Sequence, residues 1–434
     1  MPVRLNSKQT PLREIISNPL LAPKNGAMNS DKNIADSVAE IIRNIREKGD
    51  EALLSYTQKW DNEKASLAQI IVPRETISKA HNFCSKEVLS ALKQAATRIE
   101  NYHLHLMPKD IDYTDEASVR LGQRWTAVDR VGIYVPGGLA SYPSSVLMNA
   151  IPARVAGAKN LTMVVPAPGG IVNPLVLAAA HLVGIEEIFL VGGAQAIAAL
   201  AFGTETIAPV DVIIGPGNAY VAEAKRQVFG LVGIDMIAGP SEVLVVADES
   251  ANPKWVAMDL LSQAEHDPLA RPILLCFSEE FADSVEQEIN SALPTLSRAE
   301  IASKSWNERG VIVIAGEKRQ ALEIINAAAA EHLELCVENP RSWLPEIRHA
   351  GAVFLGSHTP EVFGDYLLGP SHVLPTSGTA RFSSGISVYS FLKRQSVMEC
   401  PPIAAKNFAL SAHALAQEEL LQAHALAALL RKGE

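Results

Sequence analysis

Val131-Gly-Ile-Tyr-Val-Pro-Gly-Gly138 is a short apolar run that stops on a proline and two glycines, and the same construction recurs downstream. Leu161–Val165 is a second run. Glu187–Val191 leads into Gly192-Gly193-Ala194-Gln195, and Val210–Ile214 leads into Gly215-Pro216-Gly217-Asn218. Between and after these runs lie stretches of helical composition, around Ser144–Ala156, Asn173–Val183, Ala194–Phe202 and Asn218–Phe229. Strands this apolar, joined by helices, suit a parallel sheet covered on both faces. A second set begins after Ser241, with strands expected at Glu242–Ala247, Ile273–Phe277, Gly310–Ala315, His332–Glu338 and Val353–Gly356. Helices around Lys254–Ala264, Glu280–Ala292 and Lys318–Ala329 separate most of them. The fold class is therefore α/β, with two tandem doubly wound (Rossmann-like) parallel-sheet units and helical attachments at both ends.

Working outward, Val38, Ile41, Ile42 and Ile45 recur at helical period, and Ser85 can cap a long helix through Leu92 and Ile99. Strand-like runs follow at Val119–Trp125 and Val131–Val135. The expected division is an N-terminal helical arm (1–30), a helical part associated with the second unit (31–130), a first α/β unit (131–240), a second (241–380) and a C-terminal helical tail (381–434). The tail from Ala404 onward is rich in Ala and Leu, so a neighbour should cover its apolar stripe.

The 434 residues carry a formal charge of -10 and no run of Lys or Arg, which argues against a nucleic-acid surface. Met1–Leu20 contains Arg4, Lys8, Arg13 and Glu14 without an apolar core, so no secretory signal is expected, and no stretch is long and apolar enough for a bilayer. Cys84, Cys276, Cys336 and Cys400 are far apart, the usage of a reducing cytoplasmic compartment.

Ligands of open α/β sheets sit beyond the carboxyl ends of strands. Three strands of the first unit end in glycine-rich turns leading to helix N-termini, where backbone N–H groups and the helix dipole can receive a phosphate. The full dinucleotide fingerprint is absent, and glycine in such turns also has a purely steric reading. In the second unit Gln263 and His266 share a face in the last turn of a helix. Alone they are a poor zinc pair, and His266 reads as readily as a partner of the helix dipole. Glu331-His332, where a helix gives way to a strand, is either an acid–base pair or a capping pair. His103 and His105 fall on different faces of a helix and read as surface residues. Cys336 reads as a small strand residue rather than a nucleophile. In the tail, Glu419 and His424 are five apart and do not face each other.

The segments together resemble the histidinol dehydrogenase family. The resemblance is carried by Val131–Gly138, Val191-Gly-Gly-Ala-Gln195, Gly215-Pro-Gly-Asn218, Ile237-Ala-Gly-Pro-Ser-Glu-Val243, Leu261-Ser-Gln-Ala-Glu-His266, Glu331-His-Leu-Glu-Leu335, Gly364-Asp365 and Ser371-His-Val-Leu-Pro-Thr376. It runs from about residue 30 to the C-terminus. It implies oxidation of L-histidinol through its aldehyde to L-histidine, with NAD+ and one Zn2+ per subunit as cofactors. It further implies zinc on Gln263, His266, Asp365 and His424, acid–base roles for Glu331 and His332, substrate contacts from Ser241, His332, Glu419 and the zinc ligands, and NAD contacts from Tyr134, Gln195 and Asn218. On this reading 131–240 binds NAD, 241–380 binds zinc and substrate, and a homodimer forms in which the partner's tail completes each site. Where the family often has proline before the Glu-His pair, this chain has Ala330. Rival readings are a zinc–NAD paralogue acting on another small alcohol such as a sulfonated diol, a silent nucleotide-binding module, and a zinc hydrolase.

Overall fold

The computed structural model describes residues 1–22, 32–137 and 142–433. Its first parallel sheet has five strands in the order Glu187–Phe189, Asn160–Val164, Arg130–Tyr134, Val212–Ile214, Gly233–Ile234. The chain starts in the middle, winds to one edge, returns and winds to the other. The winding reverses between Arg130–Tyr134 and Val212–Ile214, so the crevice of a doubly wound sheet opens there. The second sheet has six parallel strands in the order Val3–Asn6, Val311–Ile314, Arg271–Cys276, Glu242–Ala247, His332–Cys336, Ala352–Leu355. Apart from the added first strand, its winding repeats that of the first sheet. Glu242–Ala247 and His332–Cys336 are buried at every position, as a sheet with helices on both faces requires. A third, antiparallel sheet joins Leu392–Glu399, Arg120–Ala127 and Ile111–Thr114. Among the described residues no helix is long and apolar enough to cross a membrane.

The periodicity of the early helices is as expected, with Val38, Ile41 and Ile45 buried on Lys32–Lys48 and Leu92, Ala95 and Ile99 on Lys86–His105. Their partner is different. Val38, Ile41 and Leu53 share a core with Phe189, Leu200 and Val221, and Ile99 shares one with Leu147 and Ile151. The 31–130 segment thus covers the first sheet, not the second, because an amphipathic pattern shows that a face is buried and not what buries it. The N-terminal arm also differs from the helical expectation. Val3–Asn6 is an edge strand against Val311–Ile314, followed by a short helix, Leu12–Ile15, with Ile15 and Leu21 in the second core. The segment after 380 opens with Phe391 in the first core and the strand Leu392–Glu399 before the helices Pro402–Glu418 and Gln422–Leu429 begin. His103 is buried, its Nδ1 2.8 Å from the Ile99 carbonyl, which corrects its surface reading.

Candidate active site

The platform side of the site is built from backbone. Tyr134, Pro136, Gly137, Gly192, Gly193, Gln195 and the Pro216–Asn218 turn line one cleft of about 1240 Å³ between the two large sheets. Gly215 has φ +113°, and a Cβ there would lie 2.0 Å from the Tyr134 carbonyl oxygen. A Cβ on Gly137 would lie 2.4 Å from that of Pro166. Glycine is required at both because neighbouring strand ends approach so closely. Asn218 caps the helix Ala219–Val228, its Oδ1 accepting from the Tyr220 and Val221 N–H groups at 3.0 and 3.1 Å. The Tyr134 hydroxyl accepts from the Gly193 N–H at 3.2 Å, and burial pushes its pKa up to about 12, so it stays protonated. Gln195 is buried, and its Oε1 has no hydrogen-bond partner among the described residues.

The opposite wall comes from the amino ends of the second sheet. Ser241 precedes Glu242–Ala247, and Glu331 precedes His332–Cys336. The helix before Glu331 ends at Ala329 in the left-handed conformation, φ +47°, which turns the chain sharply into the strand. Glu242 is the common anchor: its N–H donates to Glu331 Oε2 at 3.0 Å, and its carbonyl oxygen lies 3.2 Å from His332 Nδ1. Its own carboxylate pairs with Arg271 and accepts the Ser377 N–H at 2.9 Å. With Nδ1 committed to the carbonyl, His332 Nε2 is left without a hydrogen-bond partner among the described residues, 4.0 Å from Asp365 Oδ1. Burial, then His372 and His266, pushes the His332 pKa down to about 3, so the imidazole is neutral and its Nε2 carries a free lone pair. Burial and then Asp365 hold Glu331 well above the ordinary carboxylate range, opposed by Ser241 and Arg271.

Gln263 is fully buried with Oε1 unpartnered, and its Nε2 lies 3.1 Å from His266 Nδ1. His266, Asp365 and His372 line the cleft with His332. Burial pushes Asp365 up to about 7, and Glu361, 3.5 Å from His332 Nδ1, is raised by burial and then by Asp365. Ligand atoms of His332, Glu361 and Asp365 lie within 4.8 Å of one another. Crowded carboxyls, neutral imidazoles and an orphan amide oxygen are a setting that a divalent cation relieves, because its charge offsets the burial of the carboxylates.

Of the residues expected at the site, the fold brings Ser241, His266, Glu331, His332 and Asp365 to one wall, with Gln263 beneath His266, and Tyr134, Gln195 and Asn218 to the other. Glu419 and His424 are exposed on the tail and do not line this cleft. Glu361 and His372 were given no role from sequence. Glu361 stands one helical turn before Asp365, and that spacing was the available signal. His372 receives its place from one near and one remote neighbour, its Nδ1 3.1 Å from the Asp365 carbonyl and its Nε2 3.3 Å from Ser145 Oγ. Cys336 is buried and its thiol is pushed up by burial and by Glu334, unsuited to a nucleophile.

Two doubly wound units closing on a glycine-lined platform and a buried acid–base pair define an α/β enzyme. A family profile described as histidinol dehydrogenase matches residues 24–432. Histidinol dehydrogenase of Rhodospirillum rubrum is 52% identical over 432 residues, covering 99% of each chain, and that of Gluconobacter oxydans is 52% identical over 403, covering 93% of this chain and 94% of its own. The crystal structure of histidinol dehydrogenase from Elizabethkingia anophelis superposes with a TM-score of 0.92 at 36% identity, over 99% of this chain and 98% of the other. The chain belongs to the histidinol dehydrogenase family.

Proposed function

We propose that the protein oxidises L-histidinol through histidinaldehyde to L-histidine with NAD+ and zinc, as the last steps of histidine biosynthesis. The observation that carries this reading is the free Nε2 of a neutral, oriented His332 beside Glu331, facing a glycine-rich platform across one cleft. Gln263, His266 and Asp365, with the partner's His424, would hold one zinc ion, a mixed nitrogen and oxygen set that leaves positions for substrate nitrogens. Bound zinc supplies a Lewis-acid anchor for the substrate, and bound NAD+ supplies the hydride acceptor. The glycine turns and the N-termini of Gly193–Phe202 and Ala219–Val228 receive the dinucleotide, with Tyr134, Gln195 and Asn218 as its contacts.

His332 Nε2 accepts the hydroxyl proton while Nδ1–H stays donated to the Glu242 carbonyl, which fixes the ring and its tautomer. Glu331 takes the proton from the water that hydrates the aldehyde, with Ser241 and Arg271 opposing the burial that favours its protonated form. Ser241 and the partner's Glu419 orient the amino alcohol, and the exposed apolar tail is the element a homodimer would cover. The test is metal analysis together with NADH counted per histidinol consumed. Stoichiometric zinc and two NADH per histidinol support the reading; full turnover after chelation, or turnover only of another zinc-chelating alcohol, overturns it.

A further inference from the structure

Beneath the platform lies an ion pair to which the chemistry above gives no role. Lys225, on the helix Ala219–Val228, and Asp235, just after the strand Gly233–Ile234, have side chains 2% and 1% exposed and pair directly. Lys225 Nζ also donates to the Gly215 carbonyl at 3.0 Å, and Asp235 Oδ2 accepts the Gly215 N–H at 2.8 Å. Both backbone polar groups of one glycine therefore end on the same buried pair. This is the residue whose φ of +113° and close approach to Tyr134 place the turn at the winding reversal of the first sheet.

The pair also reaches the other way along the chain. Asp235 Oδ1 accepts the Met236 N–H at 2.7 Å, and Met236 opens the segment that crosses to the second sheet. That segment is tied at its far end, where the Gly239 N–H donates to Thr376 Oγ1 at 2.7 Å. Stability alone is a weak reason to bury such a pair, because apolar residues of similar volume are often as stable or more so. An apolar pair could not hold the N–H and the carbonyl of Gly215 at once.

We infer that Lys225 and Asp235 are positioning residues for the dinucleotide: they clamp the Gly215 peptide so that the Pro216–Asn218 turn faces the pyrophosphate, and they join that turn to the crossing segment. The inference rests on the nucleotide reading of the platform. The test compares zinc-loaded wild type, K225M/D235L and K225Q/D235N. The apolar double variant is expected to melt within about five degrees of wild type. Its KM for NAD+ should rise about tenfold or more, while zinc content and the melting shift given by histidinol are retained. The amide pair, which keeps a donor and an acceptor for Gly215, should recover most of the affinity. An unchanged KM for NAD+ in the apolar variant overturns the clamp. Should that variant fail to fold, D235N alone decides, since an unaltered KM for NAD+ with faster hydrogen exchange at Gly215 also overturns it. Absence of NAD+ binding by wild type would instead defeat the nucleotide reading.

Discussion

The two large sheets are wound alike and used from opposite edges. The first presents the carboxyl ends of its strands to the cleft as glycine-rich turns, Gly137, Gly192, Gly193 and Pro216–Asn218, with the side chains of Tyr134 and Gln195 beside them. The second presents its amino ends, and there the functional groups are side chains, Glu331 and His332 among them. At its own carboxyl ends the strand-end N–H groups are engaged by a side chain. Asp248 Oδ2 accepts the Glu338 N–H and Oδ1 the Ser250 N–H, both at 3.0 Å, while the Asp248 N–H donates to the Cys336 carbonyl at 3.3 Å. N–H groups that could have met an anion are already taken by a carboxylate. A winding order therefore marks where a ligand could bind, and the residues at the strand ends decide whether that edge is left open.

The sharpest way to break this contrast is at the side-chain edge. Replacing His332 by Asn should lower kcat about a thousandfold. Glu331→Gln should cost a similar factor in oxidation of added histidinaldehyde and much less in alcohol oxidation, read by single-turnover NADH formation. Equal losses in the two half-reactions would dissolve the division of roles. At the backbone edge, Gly215→Ala forces a Cβ onto the Tyr134 carbonyl and should destabilise by about 3 kcal/mol, seen as a lower denaturation midpoint. At the carboxyl ends of the second sheet, Asp248→Ala should cost about 1–2 kcal/mol of stability and leave the KM for NAD+ unchanged. A raised KM would mean that this edge also serves the ligand.

The smallest effect concerns a carboxyl beside the second sheet. Burial pushes Asp259 up to about 6 against Glu334, above its ordinary value of 3.8. Between those values the folded chain holds a proton that the unfolded chain has released, so this group's contribution to stability falls as pH rises. Asp259→Asn should accordingly melt a few degrees above wild type at pH 8 and no higher at pH 4, by calorimetry.

The interior of the two sheets was readable because Val243–Ala247, Ile312–Ile314 and Val212–Ile214 are unbroken apolar runs, the pattern burial on both faces demands. Val3–Asn6 was not, since four residues at a sheet edge alternate too briefly to stand out from a loop. Glu331-His332 was visible as an adjacent acid and imidazole. Gln263 and His266 were visible as a pair at helical spacing, but their metal role and Asp365 entered through resemblance, because the meeting with Asp365 depends on how the helices Pro253–Ala264 and Glu361–Tyr366 pack, which no local spacing expresses. The first helices were recognised as helices and assigned to the wrong sheet for the same reason.

Glu331 and His332 take hold of opposite ends of one residue, Glu242, the first by its N–H and the second by its carbonyl. Base and imidazole are thus fixed to a single rung of the central strand and travel with it as one body. On the proposed function, exchange of a spent dinucleotide for a fresh one across the cleft would leave these two groups where they are, so an aldehyde held on that wall would meet the same chemistry before and after the swap.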